Sequence, residues 1–181
     1  MATHNVLIQK AVAAMNVDSF NRSIVGTADL DNGNLVYLFA KSTTAGEPEV
    51  WTAVQPATAN LALGLWMVYS PEIVVTVSGS KKYKNINVDP QDFYIPTGVI
   101  GDAFKLQVGD LVLMTDDGLA GTKSSNAYAV ATNATYKPTW AAAPISGLSL
   151  HLLGTEYISI GSGAIDSQRV TAYAFEVVAL A

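Results

Sequence analysis

The clearest pattern in the chain runs from Gln168 to Leu180. There Tyr173, Phe175 and Val177 alternate with Ala172, Ala174, Glu176 and Val178. A period of two is the mark of a β-strand with one face turned to a core. Phe104, Leu106 and Val108 alternate with Lys105 and Gln107 in the same way. Leu148, Leu150 and Leu152 alternate with Ser149, His151 and Leu153. Short apolar runs predict further strands at 35–39, 50–54, 65–69 and 73–77, and the last of these is rich in branched residues. Shorter strands are expected around 127–131 and 139–143, and another at 157–160 before the Gly161-Ser162-Gly163 turn.

Turn residues punctuate these segments. Asn32-Gly33 precedes the run at 35–39, Pro71 separates 65–69 from 73–77, and Asp116-Asp117-Gly118 follows Met114. Gly109-Asp110 marks a bulge or sharp bend between two strands. Residues 80–102, broken by Asp89-Pro90, Pro96 and Gly98, read mostly as loop. Tyr83, Phe93, Tyr94 and Ile95 are expected to pin that loop to the core. With about ten to twelve short strands and no long amphipathic helix for βαβ crossovers, the pattern predicts an all-β sandwich or barrel. No internal repeat points to a solenoid or propeller.

Residues 1–20 differ from the remainder. Val6, Leu7, Lys10, Ala11, Ala13, Ala14, Met15 and Val17 fit a short helix with a weak apolar side, and an extended arm lying on a neighbouring subunit fits equally well. The predicted organisation is an N-terminal arm or short helix over 1–20 and a single β-rich domain over 21–181.

Composition narrows the function classes. Charged residues make up 14% of the 181, against roughly 25% in an average soluble domain. A surface so poor in charge fits either burial against other subunits or a filled sandwich core under a Ser/Thr/Asn-rich exterior. The net charge of −5 argues against a nucleic-acid partner. The one dense basic run, Lys81-Lys82-Tyr83-Lys84, reads as a solvated hairpin tip after Ser78-Gly79-Ser80. There is no cysteine, so disulfides and thiolate metal sites are excluded. No apolar stretch approaches the roughly 18 residues of a membrane-spanning helix. Val6-Leu7-Ile8 is cut off by Gln9-Lys10 and does not form a signal-peptide core. The expectation is synthesis without export, which makes the sequons at Asn21 and Asn133 chance matches.

Candidate chemistry is sparse. His4 and His151 are the two histidines, and a Ser-His-Asp triad would have to use His151, without a G-x-S-x-G elbow to present the serine. Asp29-Leu30-Asp31-Asn32-Gly33 resembles the start of a calcium loop. Its glycine comes one place early, and Ala40 stands where the bidentate glutamate belongs. Gly161-Ser162-Gly163 leads to Asp166 and a strand, the wrong context for a dinucleotide turn. Trp51, Trp66 and Trp140 fit a core role or, if exposed, a sugar-stacking platform. The reading is a protein without catalysis, cofactor or metal.

Four stretches give the chain a familiar look: Asn32-Gly33-Asn34-Leu35-Val36-Tyr37, Leu65-Trp66-Met67-Val68-Tyr69-Ser70-Pro71-Glu72, Phe104-Lys105-Leu106-Gln107-Val108-Gly109-Asp110, and Thr171-Ala172-Tyr173-Ala174-Phe175-Glu176-Val177-Val178. Together they resemble small virion structural proteins of tailed bacteriophages, especially head decoration (cement) proteins. The resemblance implies a β-rich body, often a homotrimer, made in the host cytoplasm and seated on the outer face of the capsid. There it would bridge neighbouring copies of the major capsid protein. It also implies an N-terminal contact arm, here Val6, Leu7, Ile8 and Lys10. A tail-tube or head-completion protein and a carbohydrate-binding β-sandwich module are the alternatives.

Overall fold

Strand formation follows the alternation, and which face is buried follows the size of the side chains on it. A computed structural model describes residues 4–43, 46, 48–72, 74–78, 81–85, 90–160 and 168–180, with backbone alone at 74–78 and 81–85. Among the described residues there are thirteen strands: β1 Leu7–Ala11, β2 Asn21–Gly26, β3 Leu35–Lys41, β4 Trp51–Val54, β5 Trp66–Val68, β6 Val74–Ser78, β7 Lys81–Asn85, β8 Ile100–Lys105, β9 Leu111–Thr115, β10 Tyr128–Val130, β11 Thr139–Ala141, β12 Ser149–Ile160 and β13 Gln168–Ala179. Helical geometry is confined to three-residue 3-10 turns.

The protein is all-β, and it is both sheet and barrel. Six strands form an antiparallel sheet in the order β1-β9-β13-β12-β10-β11. Five more close into a barrel, β2-β4-β3-β5-β8, in which only β2 and β4 run parallel. β6 and β7 pair as a separate two-stranded ribbon.

The barrel explains why its strands read as unbroken apolar runs. Val36, Val68 and Ala103 point inward to a core with Ile24, Leu30, Ala53, Phe93 and Ile95. Their chain neighbours Leu35, Met67 and Phe104 point outward, into a second core shared with the sheet. At these positions both faces are therefore buried, whereas the end of β3 from Phe39 to Lys41 is exposed. The sheet supplies Leu7, Val112, Met114, Trp140, Leu150, Tyr173, Phe175 and Val177 to the shared core. The alternation predicted along β13 is observed, with Ala172 and Ala174 on the opposite face.

Four expectations give way to a different arrangement. Residues 1–20 were expected as an arm or short helix, whereas 7–11 form the edge strand β1 against β9. Asn5 and Val6 anchor it: Val6 N donates to Thr115 Oγ1 at 3.1 Å, and Thr115 N donates to Asn5 Oδ1 at 3.1 Å. Burying Val6, Leu7, Val12 and Ala14 holds this segment in the body. The stretch 80–102 is less of a loop than predicted, since it contains β7 and the start of β8, although Phe93 and Ile95 are buried as expected. The Lys81–Lys84 run lies along β7, and residues 79–80 fall outside the described residues. The segments at 148–152 and 157–160 are one strand, β12, continuous because it pairs with β13 along its length, with a bulge at Leu153.

Candidate docking face

The side of the six-stranded sheet turned away from the barrel is built from small and aliphatic residues. Leu113, Ala172 and Ala174 form its floor, with Ile158 packed against them. Along β12 the face continues through Gly154 and Glu156, which lie opposite Ala174 and Ala172. On β1 it presents Ile8, which lies opposite Leu113.

This face is curled rather than flat. Lys10 of β1 and Glu156 of β12 form an ion pair across it, although β9 and β13 lie between their strands. In a flat sheet the two backbones would stand roughly 14 Å apart at ordinary strand spacing. The small floor at Ala172 and Ala174 allows the two long side chains to meet above it. Sheet twist and the irregularity in β1 between Gln9 and Ala11 bring the edges toward each other.

Two clefts open on this face. One, of about 210 Å³, is lined by Lys10, Leu111, Leu153, Gly154, Glu156 and Ala174. The other, of about 440 Å³, lies at the edge of the face, where Ile8, Ile158 and Ile160 meet Met15, Tyr69 and Pro90 from the barrel side. Large apolar side chains remain exposed on the face: Ile8 at 39%, Leu153 at 52% and Val178 at 39%. Single exposed hydrophobics are ordinary, but several around one concave face are the sign of a contact surface.

Of the four residues predicted to contact a partner, Ile8 and Lys10 reach this face. Val6 and Leu7 are buried and serve the core instead. Leu153 and Glu156 carry no mark of membership in the sequence, because a bulge and a cross-sheet ion pair depend on strand order. The small-residue side of β13 was visible in the alternation.

The remaining candidate residues have structural employment. His4 Nδ1 lies 2.7 Å from Asp31 Oδ1, and its ring stacks on Tyr94 at 4.8 Å. His151 lies against Tyr128, ring centres 5.1 Å apart. In the calcium-like loop the ligating groups are already engaged. Asp29 accepts from Thr97 N and Oγ1 at 2.8 and 2.9 Å, Asp31 holds His4, and Asn32 bonds Ser70. The two bonds from Thr97 hold the Asp29 carboxyl below its ordinary value. Among the described residues no three His, Asp or Glu side chains converge as a metal site would require. The Gly161–Asp166 turn lies outside the described residues. Trp140 is buried against Tyr173 and Phe175, while Trp51 and Trp66 are half-buried.

No family model matches the chain, and neither a curated protein nor a solved structure is significantly similar to it.

Proposed function

We propose that this chain is a structural virion protein of the head-decoration type, which binds the outer face of a tailed-phage capsid and stabilises it by bridging capsid subunits. The observation that carries the reading is the curled outer face of the six-stranded sheet, where Ile8, Leu153 and Val178 stay exposed around an alanine floor. Covering such a face with another protein removes apolar surface from water at about 25 cal/mol per Å². The resemblance of four stretches to decoration proteins supplies the kind of partner. A homotrimer would engage several capsid subunits together, so that each weak contact after the first becomes intramolecular.

The test has two parts. Light scattering on the size-separated protein is expected to give a trimer. Undecorated heads assembled from the accompanying major capsid protein are expected to carry the protein down on sedimentation. A protein that stays monomeric and leaves such heads bare would overturn the reading.

A further inference from the structure

The register of the barrel gathers a second surface at the opposite layer of the molecule. β2 and β4 begin at one mouth, β5 begins there, and β3 and β8 end there. Trp51 lies beside Lys41 and Trp66 beside Lys105 in the strand pairings, on the inward-pointing positions nearest that mouth. Arg22, one strand over from Lys105, stands with its guanidinium carbon 5.7 Å from the Trp66 ring centre, and Lys41 Nζ lies 6.0 Å from that of Trp51. Beneath the two indoles the barrel is filled by Ile24, Val36, Ala53, Val68 and Ala103, so the mouth is a platform over a solid core.

Its charge is opposite to that of the whole protein. The chain has 10 basic residues and a net charge of −5, and three of those residues surround this mouth. Among the described residues the carboxylate in ion-pair range is Glu49, 3.7 Å from Lys41, and it is 87% exposed. Arg22 and Lys105 form no described ion pair. Two cations held against indole faces offer fixed positive charge beside flat apolar rings.

We propose that this mouth binds an acidic glycan, with a sugar ring against Trp51 or Trp66 and its carboxylate on Arg22 and Lys105. The barrel strands are paired around the ring, but at this mouth β3 beyond Val36 is unpaired on its β5 side and β2 before Ile24 on its β4 side, so an acidic peptide is the competing ligand that the poly-glutamate comparison tests. Nucleic acid would meet a chain of net −5 beyond a small basic patch, which opposes a long polyphosphate. A uronic-acid sugar needs only what the mouth supplies: a ring-sized apolar surface and one or two cations. This site is separate from the sheet face and does not depend on capsid binding.

The experiment is a tryptophan-fluorescence titration of the intact protein with short oligogalacturonates, using neutral maltooligosaccharides and poly-glutamate as comparisons. Trp51 and Trp66 report, since Trp140 is buried. The expected result is a saturable, salt-sensitive change with oligogalacturonate alone. It should weaken at least fivefold in Arg22→Ala and in Lys105→Ala, with near-ultraviolet circular dichroism unchanged in both. Trp66→Phe, which keeps a ring in the barrel, should weaken it less than either. No response, an equal response to the neutral sugar, or full binding by the Arg22→Ala/Lys105→Ala protein would overturn the proposal. An equal response to poly-glutamate would overturn the glycan and leave an acidic protein as the ligand. None of these outcomes changes the capsid-binding test.

Discussion

Asn32 and Ser70 hold each other through two hydrogen bonds: Ser70 N donates to Asn32 Oδ1 at 2.8 Å, and Asn32 Nδ2 donates to the Ser70 carbonyl at 3.0 Å. Both residues are buried, and the pair joins the turn before β3 to the end of β5. Ser70 Oγ then accepts from Asp102 N of β8 at 2.7 Å, so one side-chain pair fixes three strands of the barrel. Asn32→Ala leaves a backbone donor and a backbone acceptor buried without partners. It should cost about 2–4 kcal/mol, read as a lower urea midpoint with an unchanged slope.

The contact between Gly118 and Asn5 predicts a non-additive pair. Gly118 packs against the Asn5 carboxamide so closely that a Cβ there would overlap it. Asn5 cannot retreat without losing its bonds to Thr115 and to the Asn32 carbonyl. Gly118→Ala should therefore destabilise the native protein more than it destabilises an Asn5→Ala protein. Equal costs in the two backgrounds, measured by denaturant unfolding, would refute the coupling.

Asp29 gives the protein a defined response to acid. Thr97 N and Oγ1 both donate to its carboxylate, which lowers its folded pKa below 3.8. The unfolded chain binds this proton more readily, so the stabilisation is present above pH 3.8. It is lost as pH falls through the folded value. The Asp29 carboxyl resonance should titrate with a midpoint below 3.8, and Thr97→Ala should raise that midpoint. An unchanged midpoint in Thr97→Ala would remove the hydroxyl bond as a cause and leave the Thr97 backbone N–H bond, which the variant keeps, to account for the shift.

Lys10 and Glu156 separate stability from assembly. Their side chains are 37% and 44% exposed, and ion pairs in such settings are worth about 0–1 kcal/mol. Lys10→Ala should leave the thermal midpoint nearly unchanged. If the sheet face meets the capsid, Ile8→Asp and Leu153→Asp should weaken sedimentation with undecorated heads at least tenfold while the protein remains folded. Wild-type binding by both variants would move the capsid contact elsewhere.

The alternation of Tyr173, Phe175 and Val177 with Ala172 and Ala174 fixed β13 and its buried face without any knowledge of neighbours, because a strand's period of two is a local property. The Asn32-Gly33 turn was legible for the same reason: Gly33 takes a φ of +88°, which glycine adopts without strain. β1 was not legible. Its residues carry a weak pattern, and the bond that places it joins Val6 to Thr115, 109 residues away. Strand partners were equally hidden. Whether these strands made a sandwich or a barrel depended on β2 pairing with both β4 and β8, and a strand's own sequence does not name its partners. The sheet face depended on Lys10 meeting Glu156, and the basic mouth on Arg22 meeting Trp66. Periodicity determines that a segment is a strand and which side of it is apolar. Only the three-dimensional closure of hydrogen bonds and buried surface decides which strands meet, and so which residues share a site.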